Sequence, residues 1–168
     1  MNTPRGCSFL LNPVGSETIF TPEQFTDEQR MFAQTAADFM VRDVLPDVDR
    51  LEAQEDGLMV AKLKKAGELG LLMIDVPEQY GGLALDKTTS MLCSEKLAWY
   101  GGFSVSHGAH VGIGCLPLIF FGNDEQKQRY LPQLATGELL AAYALTEPGS
   151  GSDALGARTT ATLEVGAD

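Results

Sequence analysis

Apolar residues recur at helical spacing along most of the first 137 residues. One face of a first helix is formed by residues at steps of seven, four and three, namely Phe25, Phe32, Ala36 and Phe39. At its start, Thr26 and Gln29 have the spacing of a capping box, in which each side chain accepts the backbone N–H of the other residue. We expect Pro46 to end or kink this helix, because proline removes a helical hydrogen bond.

The same spacing predicts three further helices. The first covers residues 57–69 and stops at Gly70, a typical residue after a helix C-terminus. The second covers residues 86–99. The third opens with a capping box at Asn123 and ends at Gly137. Three lysines on the first of these helices are interpreted as a solvated face: Lys62, Lys64 and Lys65.

Residues 97–123 contain no Asp, Glu, Lys or Arg, and a membrane span therefore has to be considered. Serines, histidines, glycines and Pro117 interrupt this stretch, so it lacks a run of about 20 predominantly apolar residues. We interpret residues 103–121 as a helix buried on all sides within a helical bundle. Its glycines permit close packing or leave room for a ligand.

The pattern changes after Gly137. Residues 139–145 and 158–165 have the composition of strands, and a loop of glycine and serine joins them. The fold class predicted is therefore mainly α: a helical domain over residues 23–137, followed by the first strands of a β-domain over residues 138–168. Residues 1–22, with three prolines, are expected to be a loosely attached lead-in. A sheet that opens without closing suggests part of a longer protein.

Composition restricts the function classes. The chain of 168 residues has 12 Lys+Arg against 23 Asp+Glu, a net charge of -11, which disfavours nucleic-acid and membrane-surface partners. Three widely spaced cysteines, without a C-x-x-C pair, fit free thiols in a reducing compartment. These features predict a cytoplasmic protein.

Few residues point to chemistry on spacing alone. The loop over residues 146–153 can turn backbone N–H groups and the hydroxyls of Ser150 and Ser152 toward an anion, although most such loops bind nothing. His107, His110 and nearby Cys115 are weak evidence for a metal site, and we predict none. Glu95 is interpreted as structural, either buried against a loop or half exposed.

Four motifs resemble the acyl-CoA dehydrogenase family. Residues 143–153 (YALTEPGSGSD) are similar to its flavin-binding signature, and three shorter stretches agree in order and spacing: residues 77–82 (PEQYGG), 122–127 (GNDEQK) and 130–132 (YLP). The resemblance covers residue 25 to the end. The stretch over residues 108–122 is most similar to members that act on long and very long acyl chains.

The resemblance implies a helical N-terminal domain, a central β-domain and a C-terminal four-helix bundle, together with FAD as cofactor. It implies α,β-dehydrogenation of a fatty acyl-CoA to a trans-2-enoyl-CoA, with electrons passed to an electron-transferring flavoprotein. In the family, the flavin contacts would fall on Tyr143, Leu145, Thr146, Gly151 and Ser152. Substrate contacts would fall on Ser152 and on four residues of the uncharged helix: Val105, Ser106, Ala109 and Ile113.

The resemblance also implies groups beyond Asp168. The catalytic glutamate and a second flavin motif would lie there, so this chain alone is expected to be inactive and not to retain FAD. We expect a homo-oligomer for the full-length enzyme. Two alternatives stay open: an acyl-CoA oxidase or nitroalkane-oxidase-like flavoenzyme, and a non-catalytic helical interaction module.

Overall fold

Residues 20–162 are described in a computed structural model, and they contain seven α-helices. The helices are α1 (Asp27–Phe39), α2 (Val48–Glu52), α3 (Leu58–Glu68), α4 (Lys87–Leu97), α5 (Gly101–Gly108), α6 (Leu116–Phe121) and α7 (Asp124–Thr136). Residues 26–137 are called the helical bundle below, and residues 138–162 the extended segment. The helices expected from the sequence are confirmed, with ends shifted by one or two residues.

Helix α1 begins and bends where the sequence indicates. The backbone N–H of Gln29 donates to Thr26 Oγ1 at 3.1 Å, and the N–H of Thr26 donates to Gln29 Oε1 at 2.9 Å. Ahead of Pro46 the helix widens into a π-helical turn, Met40–Val44, and then tightens into a 3₁₀ turn, Leu45–Asp47. The chain continues into α2, so the proline kinks the path rather than ending it.

A shared carboxylate joins the starts of α1 and α4, which pack along each other. Asp86 caps α4 by accepting the N–H of Thr89 at 2.8 Å, and its other oxygen accepts from Gln29 Nε2 at 2.9 Å. These donors, the Thr89 N–H first, hold the pKa of Asp86 below its ordinary value. One side chain therefore fixes two helix N-termini relative to each other.

The larger core lies where α1, α3, α4 and α5 meet. Phe39 and Phe103 are fully buried with ring centroids 5.3 Å apart, and Leu63, Leu71 and Leu97 surround them. The apolar face predicted for α1 is confirmed for Phe32, Ala36 and Phe39, which lie in or against this cluster. Phe25 precedes the helix and packs against Phe20 instead. This burial of apolar surface is the main force that holds the bundle together.

A second core cluster seats α7 against the loop before α4. It contains Val76, Tyr80, Leu131 and Leu134. Helix α7 crosses α3 at Gly67, where an added Cβ would lie 2.2 Å from the carbonyl oxygen of Thr136. Only glycine permits this approach.

The uncharged stretch is helical but is not buried on all sides. Residues 101–121 comprise α5, a π-helical segment (Ala109–Gly114) and α6. Phe103, His107 and His110 face the core, whereas Val105, Ile113 and Phe121 are exposed by 73%, 55% and 87%. The expectation of complete burial was wrong, because the rest of the described chain covers one face.

No strand forms among residues 20–162, and the predicted strand over residues 139–145 is wrong. These residues run extended, but a ladder needs a neighbouring strand, which the described chain does not supply. Of the second predicted strand, residues 158–162 lack sheet pairing and residues 163–165 lie outside the described residues. The lead-in expected over residues 1–22 also lies outside them, apart from its last three residues.

Candidate functional site

The extended segment leaves the bundle at α7 and touches the uncharged helix at Ala141. The N–H of Ala141 donates to His110 Nδ1 at 2.9 Å. Beyond it, Tyr143 and Leu145 are 53% and 43% exposed. Within residues 20–162, the backbone N–H groups of residues 142–146 have no hydrogen-bond acceptor. Exposed backbone N–H groups beside exposed apolar side chains can receive a planar ligand with polar edges.

A tight turn follows residues 142–146. The N–H of Glu147 donates to the Ser150 carbonyl at 2.9 Å, and the N–H of Ser150 donates back to the Glu147 carbonyl at 3.1 Å. Ser150 is buried, and its hydroxyl donates to the carbonyl of Asp153. The prediction that this hydroxyl can serve an anion was therefore wrong, since it already has a partner inside the loop.

The Glu147 carboxylate braces the loop. It accepts the backbone N–H groups of Arg158 at 2.8 Å and Thr159 at 2.9 Å. The Thr159 hydroxyl, followed by these two N–H groups, lowers the pKa of Glu147. These bonds favour the ionised carboxylate and tie the turn to the chain that follows it.

Gly151 and Ser152 follow the turn on the exposed side. Both are solvent-exposed, and an added Cβ on Gly151 would meet nothing within 4 Å. Thr146, on the other side of the turn, is exposed as well. The predicted cofactor residues therefore lie along one stretch of exposed chain, and their backbone N–H groups have no hydrogen-bond acceptor within residues 20–162.

The four predicted substrate residues lie on the open side of the uncharged helix. Val105 and Ile113 are exposed, while Ser106 and Ala109 are half-buried. Ser106 Oγ donates to the carbonyl of Gly102 at 2.9 Å, so its hydroxyl is turned back on its own helix. By length and composition alone, the run Gly101–Phe121 qualifies as a membrane span, but core helices of water-soluble proteins meet the same criterion.

The two histidines are fixed by backbone groups. His107 Nε2 donates to the carbonyl of Leu71 at 3.0 Å, and His110 Nε2 donates to the carbonyl of Leu134 at 3.0 Å. Burial lowers the pKa of both, which favours the neutral rings. No cluster of three or more metal-ligating side chains occurs in the described part of the chain. The Cys115 thiol lies 4.0 Å from His110 Nε2, and burial raises its pKa to about 11.

The structure corrects the interpretations of two surface side chains, Glu95 and Lys62. Glu95 is neither bonded to a loop nor half buried, since its side chain is 64% exposed and pairs with Lys96 at 2.8 Å. Lys62 does not belong to a solvated face, because its ammonium binds Asp47 at 2.6 Å and its side chain is only 15% exposed. The Lys62 side chain thus extends from α3 to the 3₁₀ turn that ends at Asp47.

Sequence reasoning missed the contact among His110, Gly114 and Ala141. An added Cβ on Gly114 would lie 2.5 Å from the Ala141 Cβ, so the segment lies directly on the helix. A glycine one turn after a histidine was the available signal, but the sequence does not indicate which later residue would meet it.

Comparison with known proteins identifies the family of this helical bundle. Residues 26–138 match the acyl-CoA dehydrogenase N-terminal domain family. The chain belongs to this family. The match covers the whole helical bundle, including the capping boxes and both core clusters, so the predicted resemblance and the mainly helical fold class are confirmed.

Individual relatives agree with the family. A probable acyl-CoA dehydrogenase of Bacillus subtilis is 59% identical over 159 residues, 95% of this chain and 27% of the relative. An acyl-CoA dehydrogenase of Bacillus anthracis, solved complexed with FAD, superposes with a TM-score of 0.87 at 59% identity, covering 92% of this chain and 26% of that one. Butyryl-CoA dehydrogenase from Megasphaera elsdenii gives a TM-score of 0.72 at 31% identity, with 84% and 37% covered. The chain spans about a quarter of the length of the first two relatives.

Proposed function

We propose that this chain is the N-terminal part of an FAD-dependent acyl-CoA dehydrogenase that oxidises fatty acyl-CoA thioesters to trans-2-enoyl-CoA. The observation that carries the proposal is the stretch over residues 142–146, whose backbone N–H groups have no acceptor within residues 20–162, beside the exposed Gly151 and Ser152. The 59% identity to a structure complexed with FAD supports the same cofactor here.

The chemistry of the donor set fits FAD. A flavin pyrimidine ring presents carbonyl oxygens and ring nitrogens, which the backbone of Leu145 and the hydroxyl of Thr146 can bind. Gly151 and Ser152 carry exposed backbone at a turn, an arrangement that suits a pyrophosphate. FAD supplies, when bound, the two-electron acceptor for the hydride that leaves the substrate β-carbon. The chain residues Tyr143, Leu145, Thr146, Gly151 and Ser152 would bind and orient it.

In this proposal the base that takes the α-proton is not among the described carboxylates. Glu147, which follows the predicted flavin contact Thr146 directly in sequence, is held against the loop by the backbone N–H groups of Arg158 and Thr159. A base must come within hydrogen-bond reach of the substrate proton. Proton removal is therefore assigned to a glutamate from the remainder of the enzyme.

We further propose that the open face of the uncharged helix lines the acyl-chain site, with Ser152 also near the substrate. Ala109 is small and half-buried between the exposed Val105 and Ile113, which leaves depth for a long chain. The long-chain preference is a proposal on this point alone, and the relative named for butyryl-CoA makes a short-chain substrate the alternative.

The proposal includes a cytoplasmic homo-oligomer that reduces an electron-transferring flavoprotein. Two observations favour this setting: a net charge of -11, and two buried free cysteines, Cys93 and Cys115, each with its pKa raised by burial to about 11. An oxidase that passes electrons to oxygen is the rival chemistry. Stirring the substrate-reduced enzyme with air separates the two, since an oxidase is reoxidised within the turnover time.

The decisive experiment uses the complete enzyme with FAD and acyl-CoA substrates of 4 to 20 carbons, about the range that natural acyl chains span. We expect bleaching of the flavin absorbance under anaerobic conditions, with the best substrate among the long chains. Ala109→Phe should shift that optimum to shorter chains, whereas Ser104→Ala, on the other side of the helix, serves as the matched control. Failure of every acyl-CoA to bleach the flavin would overturn the function. An unchanged profile in Ala109→Phe would overturn the substrate site.

A further inference from the structure

His110 uses both ring nitrogens on backbone partners from two different parts of the chain. It is 1% exposed. A carbonyl can only accept, so Nε2 carries the proton that goes to the Leu134 carbonyl at 3.0 Å. A backbone N–H can only donate, so Nδ1 is the acceptor for Ala141 at 2.9 Å. The two partners together define the tautomer.

His107 shows what an ordinary core histidine does in the same helix. It is 5% exposed, and its Nε2 donates to the carbonyl of Leu71, inside the bundle. His110 differs because its second bond crosses to the extended segment. The bond joins the bundle to the stretch that carries the proposed flavin contacts.

The position of Ala141 gives this bond its consequence. Along residues 141–146, the N–H of Ala141 is the one with a hydrogen-bond acceptor within residues 20–162. Leu145 follows four residues later, and the turn at Glu147 closes the stretch. The N–H groups between these two points have no hydrogen bond to the bundle within residues 20–162 that would fix their position over the helix.

Close packing supports the same point of attachment. Ala141 is half-buried and packs against the second core cluster. At Gly114 an added Cβ would lie 2.5 Å from the Ala141 Cβ and 3.0 Å from its carbonyl carbon. The helix therefore lacks a side chain at the place where the segment rests on it, so the hydrogen bond and the contact surface act on one residue.

We propose that His110 is a positioning residue for the cofactor segment: its Nδ1 holds Ala141 and thereby sets where Leu145 and Thr146 present their donors. The flavin part of this inference rests on the proposed function. The attachment itself does not, because it follows from the two hydrogen bonds and the glycine contact.

Two variants separate the positioning bond from the core bond. In His110→Asn the amide oxygen lies near the place of Nδ1 and can still accept from Ala141, but the short side chain does not reach Leu134. In His110→Gln the longer side chain can donate to the Leu134 carbonyl and leaves Ala141 without its acceptor. Each variant loses one buried hydrogen bond, and such bonds make similar net contributions to the free energy of unfolding. Each variant is therefore the stability control for the other.

The first measurement is amide hydrogen exchange in this chain. We expect exchange at Ala141 to speed up at least tenfold in His110→Gln and to stay within threefold of the wild-type rate in His110→Asn. Gly114→Ala, which displaces the segment and leaves the histidine intact, should also speed exchange at Ala141. Equal exchange in the Asn and Gln variants would overturn the attachment.

The second measurement is FAD affinity in the complete enzyme, followed by flavin fluorescence quenching. We expect the dissociation constant of FAD to rise at least tenfold in His110→Gln and less than threefold in His110→Asn. Equal affinities, together with the exchange difference, would overturn the flavin role and leave the attachment standing. A wild-type enzyme that binds no FAD would instead overturn the proposed function, which is a different outcome from either.

Discussion

The helical bundle and the extended segment are neighbours in sequence but differ in how their backbone is satisfied. In the bundle each helix closes its own hydrogen bonds, and capping side chains such as Thr26 and Asn123 serve the free N–H groups at the helix starts. In the extended segment, the backbone of residues 142–146 has no acceptor within the described chain. Helical structure is complete within its own residues, whereas extended structure depends on groups supplied from elsewhere.

The same contrast appears in the side chains. Leu131 and Phe103 are fully buried, whereas Leu155 is fully exposed and Tyr143 is 53% exposed. The segment thus keeps apolar side chains that the bundle does not cover. The bundle therefore provides most of the buried apolar surface, and in the proposed function the segment would provide the ligand contacts.

The largest expected effect comes from truncating the same residue type in the two regions. Leu131→Ala removes a fully buried side chain of α7 and should lower the free energy of unfolding by about 2–5 kcal/mol. Leu155→Ala removes a side chain that is 100% exposed and should change it by less than about 0.5 kcal/mol. Urea unfolding followed by circular dichroism measures both. Similar losses for the two variants would contradict the division between bundle and segment.

The second effect uses a glycine from each region. At Gly67 the Cβ of an alanine would lie 2.2 Å from the Thr136 carbonyl oxygen, a backbone atom of α7. Gly67→Ala should therefore cost roughly 2 kcal/mol through forced separation of α3 and α7, despite the better helix propensity of alanine.

Gly149→Ala is the matched control for that change. An added Cβ at Gly149 meets nothing within 4 Å, and Gly149 is not among the glycines with positive φ. We expect a change of less than about 0.5 kcal/mol in the free energy of unfolding. A Gly67→Ala protein as stable as the wild type would show that the helix crossing relaxes without cost.

These comparisons also indicate how far the sequence predicts the molecule. The capping boxes at Thr26 and Asn123, the kink at Pro46 and the end at Gly137 all depend on residues close in sequence, and all are confirmed. The complete burial of the uncharged helix and the strand over residues 139–145 were predicted wrongly, because burial and strand pairing depend on partners that are not neighbours in sequence. Apolar composition indicates that a surface is to be covered and does not identify what covers it.

The candidate site divides in the same way. The loop of glycine and serine over residues 146–153 can be predicted from local composition, and the structure closes it with a turn between Glu147 and Ser150. The contact between His110 and Ala141 joins residues 31 positions apart, and periodicity does not predict such a pair. The cofactor and substrate assignments stay predictions until a ligand is bound.

The third effect is a pH dependence confined to the bundle. Burial is the first cause that lowers the pKa of His107 and His110 below the ordinary histidine value of about 6.5. Above that value both rings are neutral in the folded and unfolded states, so stability does not change with pH. Below it the unfolded chain binds protons that the folded chain refuses, and stability falls as the pH falls.

Between pH 6.5 and 5.5 we therefore expect the free energy of unfolding to fall, by roughly 1 kcal/mol at most for each histidine. The carboxylates with lowered pKa, Asp86 and Glu147 among them, lose their contribution only at lower pH, near and below their unfolded values of about 4. Urea unfolding at pH 7.5, 6.5 and 5.5 measures the window. A free energy of unfolding that stays constant through it would mean that the histidines protonate without cost in the folded state.

The smallest effect on global stability, and the most local one, is expected at Glu147. Glu147→Gln keeps one amide oxygen but loses the charge that two backbone N–H groups now share, those of Arg158 and Thr159. Since this site is exposed and outside both core clusters, the free energy of unfolding should change by less than about 0.5 kcal/mol. Amide exchange at Arg158 and Thr159 should nevertheless speed up severalfold, because a neutral acceptor binds an N–H more weakly than a carboxylate does.

In the complete enzyme the same change should weaken FAD binding and leave turnover intact once FAD is in excess. Loss of turnover by several orders of magnitude with FAD fully bound would mean that Glu147 takes part in the chemistry, and the extended segment would then be a catalytic element rather than a binding one.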